Sequence, residues 1–64
     1  MPVITVDIHK VGSEQKVGLI RKLTDAAAEV TKVPGQAFIV LINELEDENI
    51  GIGGKDRTEA MKAR

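Results

Sequence analysis

The chain has 64 residues, a formal net charge of −1, no cysteine and one aromatic side chain, Phe38. This balance gives no electrostatic case for nucleic-acid binding, and a single aromatic ring cannot form a stacking platform for bases. No apolar run is long enough to span a membrane and no signal peptide opens the chain, so we expect a cytoplasmic protein without a membrane partner.

The small size limits the core. A chain of this length forms one domain and buries only about 60% of the surface that its unfolded state exposes. With no disulfide and few metal ligands, self-association is the remaining source of stability. We therefore predict a single domain over residues 1–64 that forms a homo-oligomer.

The first predicted element is a strand that begins after Met1. Residues 2–8 alternate, which predicts one apolar face with Ile4, Val6 and Ile8. Pro2 suits a strand start, where its missing N–H costs little, and its residue type alone favours that role. However, aminopeptidases that remove an initiator Met need a small second residue. If Met1 leaves, Pro2 becomes an N-terminal amine that burial would keep neutral, as a general base requires.

A helix is predicted next, from about Glu14 to Lys32. Ser13 is its predicted N-cap, and Lys16 stands where a capping box needs Glu or Gln. A wide apolar stripe follows helical spacing: Leu19, Ile20, Leu23, Ala26, Ala27 and Val30. Val33-Pro34-Gly35 should end the helix, because the residue before proline avoids the α region.

The second predicted strand is the apolar run from Ala37 to Ile42. Because it is apolar on both faces, it should be covered on both, and one helix covers only one. A second protomer is the natural cover for the other. Strand, helix and strand make a β-α-β unit, so the fold class is α/β (α+β) with parallel strands and a right-handed crossover.

The C-terminal third is polar and rich in glycine. Residues 44–49 form an acidic connection, and residues 50–54 alternate Ile with Gly, which predicts a tight hairpin or bulge. Residues 55–64 are mixed in charge and weakly helical, and we predict a mobile or partner-held tail.

Apart from Pro2, the residues offer little catalytic chemistry. His9 is the only histidine, and a surface position at the strand end suits it better than a metal or catalytic role. The glycine-rich turn lacks the Lys-Ser/Thr ending of a phosphate-binding loop. Lys10, Lys55 and Arg57 are surface cations by default. We predict no metal and no cofactor.

Four segments taken together carry a resemblance: Met1-Pro2-Val3-Ile4, the helix start at 13–16 with 19–21, Ile42-Asn43-Glu44, and Asn49 to Gly54. The chain resembles the tautomerase superfamily, and in particular its small members that are similar to 4-oxalocrotonate tautomerase. The likeness extends from the start of the chain to about Gly54. No single segment is specific, but the combination is.

The resemblance implies a β-α-β protomer whose C-terminal hairpin packs on a neighbour. It implies dimers with four-stranded sheets and, in members this short, a hexamer of three dimers. It also implies that Pro2 is the general base after loss of Met1. In the family this proline moves a proton between the hydroxyl oxygen of a dienol and a carbon, which converts 2-hydroxymuconate-type dienols into 2-oxo acids.

The chain departs from the family where the substrate would be held. Well-studied members use two arginines and an aromatic side chain. Here the loop of the first arginine reads Lys10-Val11-Gly12 and is one residue shorter, Ile39 stands in place of the second arginine, and Ile50 replaces the aromatic. The candidate substrate-binding residues are Lys10 as the replacement cation, Arg57 or Lys55 from a neighbouring protomer, and Ile39 and Ile50 as an apolar wall.

Three functions stay open at this point. The first is a tautomerase acting on small enol or 2-oxo acids. The second is hydration, dehalogenation or decarboxylation on the same scaffold, where the N-terminal proline is often protonated, so that the pKa of Pro2 would separate the two. The third is a self-assembling protein without activity, which the missing arginines motivate.

Overall fold

A computed structural model describes residues 1–62. In chain order it contains β1 (Val3–His9), α1 (Ser13–Thr31), β2 (Ile39–Leu45), β3 (Gly51–Ile52), β4 (Lys55–Asp56) and α2 (Arg57–Lys62). Single 3-10 turns occupy Gly35–Ala37 and Asp47–Asn49. Within these residues no helix combines the length and the apolar character needed to cross a membrane.

The β-α-β unit is confirmed. β1 and β2 pair in parallel over their whole length, from Val3 opposite Ile39 to His9 opposite Leu45. Along β1 the burial alternates as predicted, because successive side chains of a strand point to opposite faces. Ile4, Val6 and Ile8 are half-buried on one face.

β2 lies further along the chain than the predicted run from Ala37 to Ile42. The 3-10 turn takes up Ala37, whose N–H donates to the Pro34 carbonyl at 2.9 Å. Pairing then begins at Ile39, whose N–H donates to the Pro2 carbonyl at 3.0 Å. It continues past the apolar run to Leu45, because seven-residue β1 offers partners that far. Backbone pairing, rather than hydropathy, sets the length of this strand.

The helix α1 begins one residue earlier than predicted, and Ser13 is not its N-cap. Gly12 holds that position, and its carbonyl accepts the first helical hydrogen bond from the Lys16 N–H at 3.0 Å. The Gly12 N–H in turn donates to Oε1 of Gln15 at 2.9 Å. The half of a capping box in which the N3 side chain accepts from the N-cap N–H is therefore present. Because the N-cap is Gly12 and not Ser13, the N3 residue is Gln15 and not Lys16.

The other end of α1 lies at Thr31. Lys32 follows in the left-handed region, with a φ of 64°, and its N–H donates to the Ala28 carbonyl at 2.9 Å. The helix thus ends before Val33-Pro34, and the predicted end at Lys32 is one residue too long.

The predicted hairpin is confirmed at the glycine-rich turn. Ile52 of β3 lies opposite Lys55 of β4, and the two residues between them have positive φ angles, 59° at Gly53 and 87° at Gly54. A two-residue hairpin loop whose twist matches that of its strands requires positive φ at both residues. Glycine adopts these angles without strain. β4 and α2 occupy the predicted tail as far as Lys62. Its last residues, 63–64, lie outside the described residues, and its mobility stays a prediction.

The protomer has an open sheet face. None of the described side chains is fully buried, and Val3 and Leu41 are each 51% exposed on the side of the sheet away from α1. The radius of gyration is 14.9 Å, against about 11 Å for a compact chain of this length. The accessible surface of 4986 Å² exceeds the roughly 4,000 Å² of a compact protein of this mass. A single protomer therefore leaves apolar surface uncovered.

Candidate functional site

Pro2 is held at the start of the sheet. Its carbonyl accepts the hydrogen bond from Ile39 that begins the pairing of β1 with β2, and both residues are half-buried. Met1 precedes it in the described chain and is 88% exposed. The predicted base and the predicted apolar residue Ile39 are thus neighbours.

The opposite end of the sheet holds a cavity of about 420 Å³. It forms where β1 ends, beside the turn after β2 and the start of α2. Most of the side chains that line it are charged. The lining residues are His9, Lys10, Glu46, Asp47, Glu48, Arg57 and Thr58. The two predicted cations, Lys10 and Arg57, therefore face one cavity.

Both cations are already paired with carboxylates of the same turn. Lys10 Nζ lies 3.1 Å from Glu46 Oε1, and Arg57 Nη1 lies 2.8 Å from Asp47 Oδ1. The hydrogen bond and the negative charge of Glu46 raise the pKa of Lys10 above its ordinary value of 10.5. Lys10 is consequently a cation at any physiological pH, and its charge is partly neutralised inside the protomer.

Glu44 fixes the loop that carries Lys10, a role that the sequence did not reveal. Its carboxylate accepts hydrogen bonds from Lys16 Nζ at 2.9 Å and from the Val11 N–H at 3.1 Å. The bond from Lys16, and then the bond from Val11, hold the pKa of Glu44 below its ordinary value of 4.5. The sequence predicts that Glu44 belongs to a polar connection, but it is the half-buried sixth residue of β2.

The predicted site residues fall into two groups. Pro2 and Ile39 lie at the start of the strands, whereas Lys10 and Arg57 line the cavity at their far end. Pro2 and Lys10 are eight residues apart along an extended strand, which places them on the order of 26 Å from each other. One protomer therefore does not bring the predicted base and the predicted cation together.

The remaining two candidates lie near the cavity end of the sheet. Ile50 follows the turn at Asp47–Asn49, donates its N–H to the Asp47 carbonyl at 3.2 Å and is half-buried. Lys55 belongs to β4, is exposed and is not among the cavity-lining residues. Within one protomer, Ile39 and Ile50 do not form a common wall around Pro2.

Comparison with known proteins identifies the chain at the family level. The sequence model of the family described as tautomerase enzyme matches residues 2–60. The chain belongs to the tautomerase family. A probable tautomerase of Bacillus cereus is 36% identical to this family member over 56 residues, covering 86% of this chain and 92% of the relative.

Solved structures of other tautomerases have the same fold. An unfused 4-oxalocrotonate tautomerase, solved without ligand, superposes on this tautomerase with a TM-score of 0.88 at 35% identity, covering 92% of this chain and 98% of that one. A heterohexameric 4-oxalocrotonate tautomerase from Chloroflexus aurantiacus J-10-fl gives a TM-score of 0.87 at 28% identity, covering 92% and 97%. The resemblance drawn from the sequence is confirmed, and so is the fold that it implied.

Proposed function

We propose that this protein is a cofactor-independent tautomerase that converts small 2-hydroxydienoic acids into 2-oxo acids, with Pro2 as the general base once Met1 has been removed. The observation that carries the proposal is the position of Pro2. In a chain of the tautomerase family, it stands at the start of β1, anchored by its carbonyl to the Ile39 N–H.

The chemistry requires only a neutral amine in a fixed position. The free Pro2 nitrogen takes the proton from the 2-hydroxyl group, the electrons move through the diene, and the nitrogen returns the proton to a carbon of the same molecule. Nothing is gained or lost, so the reaction is an isomerisation. Half-burial beside apolar Ile39 favours the neutral amine, and such proton transfer contributes a factor of about 10²–10⁴ to the rate.

The predicted cations Lys10 and Arg57 lie at the far end of β1, so in this proposal the cation for the substrate carboxylate comes from another protomer. Within the described residues β1 pairs only with β2, so its other edge is free to pair. If two copies pair along that edge in antiparallel orientation, Pro2 of one copy lies beside the Lys10 end of the other. We therefore propose a dimer with a four-stranded sheet.

The surface of the protomer supports this assembly. Its accessible surface exceeds that of a compact chain by about 1,000 Å², similar to the roughly 800 Å² that each partner buries in a standard interface. Pairing along the edge leaves the open face with Val3 and Leu41 uncovered. A second interface on that face is the reason to propose a hexamer built from dimers.

A protein that assembles without catalysis is the second candidate. The observation that favours it is that Lys10 and Arg57 each already have a carboxylate partner in the protomer. Hydration, dehalogenation and decarboxylation by a protonated Pro2 remain the enzymatic alternatives. The cytoplasmic location expected from the sequence also stays a prediction.

The test compares two forms of the same chain. The untagged protein, in which mass spectrometry shows that Met1 has been lost, is assayed for conversion of dienols to their 2-oxo products. The control carries an uncleaved N-terminal tag, so that its Pro2 nitrogen remains an amide. We expect turnover only in the first form. Equal rates in both would reject Pro2 as the base, and no turnover in either would favour the candidate without catalysis.

A further inference from the structure

The two cations of the cavity, Lys10 and Arg57, form ion pairs of different strength. The side chains of Lys10 and Glu46 are 66% and 57% exposed, so water and salt screen their attraction and the pair is weak. The side chains of Arg57 and Asp47 are less exposed, at 24% and 46%, and their 2.8 Å contact lies in the range of strong charge-assisted hydrogen bonds. An incoming anion would therefore displace Glu46 from Lys10 more readily than Asp47 from Arg57.

Both members of the firmer pair are fixed by backbone structure. Asp47 begins the 3-10 turn, whose closing bond runs from the Ile50 N–H to the Asp47 carbonyl. Arg57 is the first residue of α2, directly after Asp56, whose carboxylate accepts the Glu59 N–H at 2.8 Å. The two side chains are thus presented to each other by anchored backbone segments, so pairing them requires no further ordering of the main chain.

The rest of the lining adds negative charge. Glu48 contributes a third carboxylate to the cavity and makes no ion pair within the described part of the chain. Among the carboxylates, lysine and arginine of the described lining, there is one more negative than positive charge. A substrate with two carboxylates would therefore meet repulsion and find one available cation.

We propose that the Arg57–Asp47 pair makes this protein selective for enols that carry a single carboxylate, because among the described residues that line the cavity it leaves Lys10 as the only cation that a substrate can recruit. This inference rests on the proposed function, in which the cavity of one protomer faces Pro2 of another. Asp47 is then a residue that determines specificity through Arg57.

The matched substrates are 2-hydroxypenta-2,4-dienoate and 2-hydroxymuconate, which differ only by the distal carboxylate. We expect the parent protein to have the higher kcat/KM with the monoacid. Asp47→Asn frees the guanidinium and should raise kcat/KM for the diacid, relative to the monoacid, on the order of tenfold, the value of one charge-assisted hydrogen bond. A parent protein that prefers the diacid would overturn the inference.

Glu48→Gln is the matched control, because it removes the same charge from the same turn without freeing a cation. We expect it to change the ratio of the two kcat/KM values much less than Asp47→Asn does. An equal change would show that net charge, and not release of Arg57, sets the preference, and would overturn the assignment to the pair.

A binding measurement separates this inference from the proposed function. Calorimetry with 2-oxopentanoate and 2-oxohexanedioate needs no turnover and again compares one carboxylate with two. If neither dienol is converted but the monoacid binds better and Asp47→Asn shifts the preference, the proposed reaction fails, and the preference for one carboxylate that the pair sets stands as a property of binding. If turnover requires Pro2 but the diacid is preferred in both assays, only the inference fails. An absence of both binding and turnover overturns both.

Discussion

The backbone carbonyl of Pro2 accepts a hydrogen bond from the Ile39 N–H, with oxygen and nitrogen 3.0 Å apart. This bond uses only the main chain, and proline has no N–H to contribute to the sheet. The side chain at position 2 can therefore change without removing a rung between β1 and β2. Catalysis and folding can be tested separately at this residue.

Pro2→Ala should reduce turnover and leave the assembly intact. If Met1 is still removed, alanine offers a primary amine in the same place, but without the rigid ring that directs the nitrogen. We expect kcat to fall about 10–10³-fold, the lower part of the range for a general base, because the replacement amine retains some function. A dienol assay measures turnover, circular dichroism measures the fold, and light scattering measures the assembly. A variant as fast as the parent would place the proton transfer elsewhere.

Leu41→Lys should break the assembly. Leu41 is opposite Thr5 in the sheet, is 51% exposed in the protomer and lies on the face away from α1. Burial of a leucine contributes about 1.5–3 kcal/mol, and a buried unpaired ammonium costs more than that. We expect light scattering at micromolar concentration to show smaller species than the parent forms.

Val30→Lys is the control for that substitution. Val30 lies on α1, is 80% exposed and occupies the last turn of the helix, where a cation suits the dipole. It should assemble like the parent. If Leu41→Lys also retains the parent's mass in solution, the open sheet face is not an interface.

Glu44→Gln should make the thermal stability of the protein depend less on pH in the acid range. The pKa of Glu44 in the folded protein lies below its ordinary value of 4.5, through Lys16 and the Val11 N–H. The carboxylate therefore stabilises the fold above that pH, and this contribution is lost as the pH falls through the folded value.

Thermal unfolding measured from about pH 7 down to about pH 3 tests this account. We expect Glu44→Gln to have a lower Tm than the parent at neutral pH and to lose less on acidification. Glu29→Gln, an exposed position of α1 without an ion pair in residues 1–62, should follow the parent curve. A parallel displacement of the Glu44→Gln curve would mean that its charge is not the cause.

Lys32→Gly should stabilise the protein. Lys32 has a φ of 64°, a conformation that costs a residue with a Cβ about 1–2 kcal/mol. Glycine loses more entropy on folding, about 0.5–1 kcal/mol, so we expect a net gain of about 0.5–1 kcal/mol in the free energy of unfolding. Lys32→Ala keeps the strained φ and should give no such gain in urea titration. If alanine stabilises as much as glycine, the effect belongs to the lost charge.

The sequence by itself determined the local elements and the position of the candidate base. The alternation in β1, the apolar stripe of α1 and the two glycines of the hairpin act through short-range geometry, so each could be identified from its own segment. Pro2 could be identified as a candidate base from its position directly after the initiator Met. The family resemblance added the assignment of Pro2 as the general base, which stays a proposal.

Only the tertiary structure decided the end of β2, the N-cap of α1 and the environment of the cations. Glu44 meets Lys16 from 28 residues away, and Arg57 meets Asp47 across the whole hairpin, ten residues apart. Parallel pairing of β1 with β2 carries Glu44 and the turn after it to the end of β1, where Lys10 lies. Each of these carboxylates looked like part of a solvated connection, because its partner is set by strand register and not by spacing along the chain.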